Sequence, residues 1–244
     1  LHESHGFTAF KTGPFQIDPD ASRWGRVCSE AAKYFEEIRA HTPDDWEFAF
    51  DPHAKIFEPI RAVQLADALA PYDPMFFEEP LRPEHIPQWQ RLRKQMRVPL
   101  ATGESLFGRF EFLDLIARNA VDIIQPDVCI CGGLLEMRKI AAIAEAHYVS
   151  VAPHNPMGPI STAVNVHFAA ATHNFTILEY YLPTDAAWEN WVDEPYVPTD
   201  GYLHIRPDRP GLGIEVNEEA ITNNDFVHWQ RTCPIRPDGS TGYI

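Results

Sequence analysis

The sequence predicts an α/β fold, a parallel (β/α) barrel built of strand–helix units, and two observations carry that prediction. Six acidic or imidazole side chains, Asp51, Glu78, Glu104, Asp127, His154 and Glu179, each follow a short apolar run, at intervals of 27, 26, 23, 27 and 25 residues. A period of that size fits one strand, one helix and two short loops. The apolar runs are continuous rather than alternating, as parallel strands covered on both faces require. Ionisable groups at the carboxyl ends of successive barrel strands point into one mouth, where such barrels carry their chemistry.

A first strand is expected at 7–11, ending at Gly13-Pro14. Asp20-Ala21-Ser22 offers cap residues for a helix to Ala40, with Val27, Ala31, Tyr34, Phe35 and Ile38 at helical spacing. Residues 46–51 form the second strand and 56–69 its helix, with Pro59 in the first turn, where a missing N–H is tolerated. The third strand, 75–78, leads to a helix near 87–95, and the fourth, 99–104, to a helix at 109–117. The fifth, 121–126, turns through Gly132-Gly133 into a helix ending near His147. The sixth, 149–154, precedes a helix at 160–171, and a seventh strand is expected at 175–180. Seven units are thus expected, in a barrel domain of residues 1–183. Residues 184–244, rich in Pro, Asp and aromatics (Trp188, Trp191, Pro195, Pro198, Pro207 and Pro210), read as a loop-rich extension folded against that barrel.

At 244 residues the chain is close to the length of one eight-unit barrel. Its formal net charge is −15, from 35 acidic against 20 basic residues, which argues against nucleic acid or an anionic membrane as partner. Four cysteines, Cys28, Cys129, Cys131 and Cys233, give no disulfide framework, so a reducing cytoplasm is the expectation. Cys129 and Cys131 form a C-x-C, but no second pair with zinc-like spacing follows. No signal peptide opens the chain, and no apolar run approaches the roughly 18 residues of a spanning helix. Leu1 stands where a methionine would begin a chain, and the text runs almost at once into a strand; either a removed leader or a piece of something longer is expected, the second being favoured.

Asp51, Glu78 and Glu104 close three consecutive strands. Three such carboxylates repel one another unless a cation neutralises them, and hard oxygen donors of this number and charge suit Mg²⁺. Asp127 and His154 close the next two; a carboxylate beside an imidazole fixes its tautomer and raises its basicity, which makes a general base. His53 lies two residues beyond Asp51, on the same face by strand periodicity, and is a candidate general acid. Lys11, at the end of the first strand, is either a catalytic amine or an electrostatic partner. Glu179 is expected to hydrogen-bond substrate. The remaining histidines fall off this register and are expected to be packing or surface groups.

At Phe77-Glu78-Glu79-Pro80, Gly103-Glu104-Ser105, Gln125-Pro126-Asp127 and Ala152-Pro153-His154-Asn155 the chain resembles the enolase superfamily, in its mandelate racemase-like branch. The likeness runs from about Gly6 to Pro183 and continues through residues 210–215. The resemblance implies a modified TIM barrel, (β/α)7β, with Mg²⁺ on Asp51, Glu78 and Glu104 and with Asp127–His154 as base dyad. It also implies removal of a proton α to a carboxylate, the metal stabilising the ene-diolate.

Two departures from the family narrow this. Racemases of the branch resemble one another in a Lys-x-Lys on this strand, whereas this chain reads Lys11-Thr12-Gly13. Asp51-Pro52-His53 instead resembles the Asp-x-His of acid-sugar dehydratases such as galactonate dehydratase. One base and one acid suit elimination of water, so the expectation is a Mg²⁺-dependent hydro-lyase taking a small anionic sugar acid (an aldonate) to its 2-keto-3-deoxy product. A racemase, epimerase or cycloisomerase of the same superfamily is the alternative. The second departure is that the likeness lacks the family's N-terminal capping domain and first barrel strand, so an inactive fragment is a competing expectation. A metal-dependent hydrolase is disfavoured, because Phe10-Lys11-Thr12 offers no His-x-His. A homo-oligomer is the expected assembly.

Overall fold

The computed structural model describes residues 1–182, 190–223, 228, 235–236 and 238–241. Pro183, Trp188 and Cys233 lie outside the described residues. In chain order the elements are α1 (His2–His5), β1 (Ala9–Thr12), α2 (Trp24–Ala40), β2 (Glu47–Phe50), α3 (Pro59–Leu69), β3 (Phe77–Glu78), α4 (Ile86–Gln95), β4 (Leu100–Thr102), α5 (Gly108–Ala117), β5 (Ile123–Ile124), α6 (Leu134–Ala146), β6 (Ser150–Val151), α7 (Pro159–Ala170) and α8 (Glu218–Thr222). The hydrogen-bonded strand order is β1-β2-β3-β4-β5-β6. Pairing is parallel, with Ala9 to Thr12 opposite Glu47 to Phe50, Phe50 opposite Phe77, and Phe77 and Glu78 opposite Leu100 and Ala101. Consecutive parallel strands joined by helices are the (β/α)-barrel pattern.

The strands are shorter than the apolar runs suggest, and the stops are local. Pro52, Pro126 and Pro153 follow the second, fifth and sixth strands, and a proline has no N–H with which to extend a ladder. After β4 the break is Gly103 at φ +132°. The expected seventh strand reduces to one parallel bridge, Phe175 to Val151, with Thr176 N donating to Val151 O at 2.9 Å. β6 is only two residues long before Pro153, so the ladder runs out of partners. The helix expected from Asp20 begins at Trp24 instead, with Arg23 at its N-cap and no side-chain cap. Asp18 holds the preceding turn through the N–H groups of Asp20 and Ala21.

The chain packs as two compact units. The amino-terminal unit contains residues 8–102 and 117–123 with the described residues of 235–241. Its α2 buries Val27, Ala31 and Phe35, four residues apart on one stripe, and α3 buries Ala62, Leu65, Ala66 and Leu69. Phe35 meets Phe50 with ring centroids 3.9 Å apart and Phe48 edge-on at 5.9 Å. Arg39, from the same helix, donates Nε to the carbonyl of Tyr72 at 2.9 Å, and its guanidinium lies over the Phe48 ring.

The carboxy-terminal unit contains residues 1–7 and 103–116 with the described residues of 124–228. Here α6 buries Met137, Ile140, Ala141 and Ala144. α7 is unusual in burying polar groups, Ser161, Thr162 and Asn165, beside Ala163, Val166 and Phe168. Tyr196 packs with Ala163 and Val166, joined by Leu203, Leu212 and Ile214. Arg206 straps this segment, lying 4.3 Å from the Tyr196 ring and donating to the carbonyls of Glu194, Pro195 and Gly213. Among the described residues no helix is long and apolar enough to cross a membrane.

Candidate active site

In the amino-terminal unit, Asp51 and Glu78 are buried at the ends of β2 and β3, 2 % and 0 % exposed. Lys11 crosses from β1 and donates Nζ to both oxygens of Glu78 at 2.9 Å, with Asp51 Oδ2 at 3.4 Å. Two desolvated carboxylates need a nearby positive charge, and the ammonium supplies it. Of the two roles weighed for Lys11, this contact is the electrostatic one. Asp51 Oδ1 accepts from His53 N at 2.7 Å, and His53 Nε2 stands 3.1 Å from Oδ2.

His53 reaches Asp51 by a different route from the one its spacing suggests. The strand has ended at Pro52, and His53 and Ala54 both take left-handed backbone, φ +52° and +55°. Consecutive left-handed residues other than glycine are costly, so something must hold them. Ala54 N donates to Glu79 O at 2.7 Å and Ile56 N to Pro80 O at 3.3 Å, lacing the turn to the loop after β3. Glu79 is itself buried, its Oε1 accepting from Thr102 Oγ1 at 2.8 Å. Neither Glu79 nor Thr102 stood out by register; the acidic doublet Glu78-Glu79 was the available signal.

In the carboxy-terminal unit, Asp127 is fully buried and spends its two oxygens differently. Oδ1 accepts from Cys129 N at 2.7 Å, and Oδ2 faces His154 Nδ1 at 2.8 Å. A carboxylate can only accept, so Nδ1 carries the hydrogen, and in the neutral ring Nε2 is left with the lone pair. Nε2 lies 3.6 Å from Glu104 Oε2. Burial alone would lower the pKa of His154, but the Asp127 hydrogen bond and the charges of Glu104, Glu179 and Asp127 outweigh it and raise the value above that of a free imidazole. Glu179 joins through Oε2, which accepts from Asn155 N at 2.9 Å. Structure and spacing therefore agree on His154, Asp127, Glu104 and Glu179 as neighbours.

Two residues beside this cluster had no assigned role. Arg109 is occupied: its backbone N and its guanidinium both donate to Glu136, at 2.6–3.0 Å, and that backbone bond, then the guanidinium, hold the Glu136 carboxyl below its usual range. Asn155 is buried and saturated with hydrogen bonds. Cys131 is buried, and burial followed by the Asp127 charge pushes its thiol up to about 12.

Chemically, Asp51, Glu78 and Glu104 are hard oxygen donors of the kind Mg²⁺ takes, and Asp51 Oδ2 is buried without a hydrogen bond of good geometry. That oxygen, approached by the Lys11 ammonium and His53 Nε2 without a hydrogen bond, and the ammonium drawn onto Glu78 both fit a cation-seeking site. Among the described residues, no three His, Cys, Asp or Glu side chains are grouped to hold an ion as they stand.

Comparison with known proteins gives a consistent picture. The D-galactonate dehydratase of Pectobacterium atrosepticum is 35% identical over 223 residues, and that of Ralstonia nicotianae 36% over 224; each alignment covers 88% of this chain and 58% of the relative. A crystal structure from Agrobacterium radiobacter, described as an enolase and provisionally as a galactarate dehydratase, holds sodium and L-malate. It superposes with a TM-score of 0.95 at 52% identity, over 100% of this chain and 65% of that one. A mandelate racemase/muconate lactonizing enzyme structure from Jannaschia sp. matches at TM-score 0.83 and 29% identity, over 94% and 59% of the two chains. The chain thus spans somewhat under two thirds of the length of these proteins. The model of the enolase C-terminal domain-like family matches residues 1–220, and the chain belongs to that family.

Proposed function

We propose that this chain carries the catalytic barrel of a Mg²⁺-dependent sugar-acid dehydratase, which removes the proton α to a carboxylate and eliminates water to give a 2-keto-3-deoxy acid. The observation that carries the reading is the buried Asp127–His154 pair at 2.8 Å. It makes Nε2 the basic nitrogen and holds the ring against rotation. Support for dehydration over racemisation is Asp51-Pro52-His53, with His53 beside Asp51, and a first strand that offers Lys11 but no second lysine. The D-galactonate dehydratase relatives point the same way.

In this reading His154 Nε2 takes the α proton, and His53 gives a proton to the departing hydroxide. Glu179 hydrogen-bonds the substrate, and Lys11 offsets the negative charge of the acids and the bound anion. Asp51, Glu78 and Glu104 would hold Mg²⁺. When bound, the metal would polarise the substrate carboxylate and favour the charge that proton loss moves onto it. A small anionic sugar acid is the partner, with neither nucleic acid nor membrane involved, in a cytoplasmic homo-oligomer.

The test is to incubate sugar acids, D-galactonate and galactarate among them, with protein and Mg²⁺ and to measure 2-keto-3-deoxy product. Dehydration abolished by His154→Gln and by His53→Ala is expected. Exchange of the α proton or racemisation without dehydration, retained in His53→Ala, would overturn the proposal in favour of a racemase.

A further inference from the structure

Asn155 follows the candidate base His154, and its buried amide has both donors and both acceptor positions filled. Only 1 % of it is exposed. Its backbone N donates to Glu179 Oε2 at 2.9 Å and its Nδ2 to Glu179 O at 3.0 Å, so one residue grips Glu179 at both its carboxylate and its carbonyl. Nδ2 also donates to Thr162 Oγ1 at 3.0 Å. Oδ1 accepts from Ser161 Oγ and from Asn165 Nδ2, each at 3.0 Å. These partners explain why α7, an otherwise apolar helix, buries three polar residues on one side.

The local chain needs such an anchor. Pro153 and Pro156 flank the pair, and β6 ends at Val151, so His154 and Asn155 lie outside any ladder. Without ladder hydrogen bonds, the imidazole is positioned by Asp127 at its Nδ1 and by what fixes the following residue. Asn155 fixes it to two elements at once, α7 and the segment carrying Glu179.

We propose that Asn155 is a positioning residue, which sets His154 and Glu179 relative to each other by clamping the 154–155 backbone to α7 and to residue 179. The proposal rests on the reading of His154 as the base, but its geometric half does not depend on turnover. An amide is required there because both kinds of partner are present: donors on α7 for its oxygen, and a carbonyl and a hydroxyl oxygen for its nitrogen. An aspartate of the same shape would set a carboxylate oxygen against the Glu179 carbonyl.

The test uses the metal-free chain first. The Nδ1 proton of His154, hydrogen-bonded to a buried carboxylate, gives a far-downfield proton NMR signal, assigned by its loss in His154→Gln. Asn155→Ala should broaden or abolish that signal. In the Mg²⁺ enzyme it should lower kcat by about 10–100-fold with a smaller change in KM, the usual cost of losing a residue that orients a catalytic group. Asn174→Ala is the matched control. That asparagine also clamps backbone carbonyls, of Ala141 and Val149, but touches neither His154 nor Glu179. It should lower the melting temperature comparably while keeping the signal and kcat. Should Asn155→Ala not fold, Asn155→Asp reads the same signal. An unchanged signal or an unchanged kcat in the folded variant would overturn the proposal, even with lowered stability. Absence of sugar-acid turnover in the unmutated protein would instead strike the functional reading, and the NMR comparison would still decide the clamp.

Discussion

Lys11→Met removes the ammonium that meets both oxygens of Glu78 and approaches Asp51. The two acids left behind are 3 % or less exposed as side chains, so solvent cannot replace the lost charge. Breaking a buried ion pair by deleting one partner costs about 3–5 kcal/mol. The lysine side chain itself is 24 % exposed, which places the loss near the lower end, about 3 kcal/mol. For a chain of this size each kcal/mol shifts the melting temperature by about 2–4 °C, so a fall of about 6–12 °C is expected. Methionine keeps most of the aliphatic stem, so lost packing contributes little. The assay is thermal unfolding of the metal-free chain. An unchanged melting temperature would refute the reasoning, because Glu78 would then not depend on Lys11 for its compensation. Under the proposed function, Mg²⁺ should recover more stability in Lys11→Met than in the unmutated chain, since a metal would no longer contend with the ammonium for these oxygens.

Three further outcomes are expected. Gly103→Ala places a Cβ 2.7 Å from Phe112 Cε1 and 3.2 Å from Gln125 N, at φ +132°, and should cost about 1–3 kcal/mol in denaturant unfolding; a neutral result would show that Phe112 can retreat. Phe35→Ala empties the aromatic cluster beneath β2 and should cost about 3–5 kcal/mol, measured the same way, with a loss under about 1 kcal/mol counting against that cluster as core. Asp193 accepts from Glu215 N and pairs with Arg209, which together hold its carboxyl down at about 2. The folded group binds its proton less tightly than the unfolded one, so its stabilisation is present above a pH of about 4 and drains as the pH falls through about 2. Carbon-13 titration of the Asp193 carboxyl should show that low midpoint, rising in Arg209→Ala; an ordinary midpoint in the unmutated chain would remove the pairing.

How much of this was legible beforehand depends on the kind of information each feature needs. The alternation of strand and helix, and a helix ending at Leu69 (though it starts at Pro59 rather than residue 56), follow from periodicity and breakers, which are local. The pairing of Asp127 with His154 was legible because both close consecutive strands. The left-handed turn at His53–Ala54 was not, since neither residue prefers that conformation and the bond that stabilises it comes from Glu79 O. The seventh strand was over-read because an apolar run at 175–180 says nothing about how much ladder Pro153 leaves for it. Asn155 lay outside the charged register altogether, and its partners on α7 and at residue 179 become visible only in three dimensions.

Desolvation orders these contacts into a common logic. Glu78, Glu79 and Asp127 are buried carboxyl residues beside strand ends, and each burial would be prohibitive unless lone pairs were claimed. The claimants differ in kind. Glu78 has an ammonium on both oxygens, an arrangement that neutralises charge but orients nothing in particular. Asp127 divides its oxygens between a backbone N–H and an imidazole, so the backbone bond pins the carboxylate and the pinned carboxylate aims the ring. Glu79 is pinned by a hydroxyl and, through its carbonyl, holds the turn of His53. Equal burial thus serves charge balance at one strand end and direction at the others. It is direction that the base and acid of the proposed elimination would require.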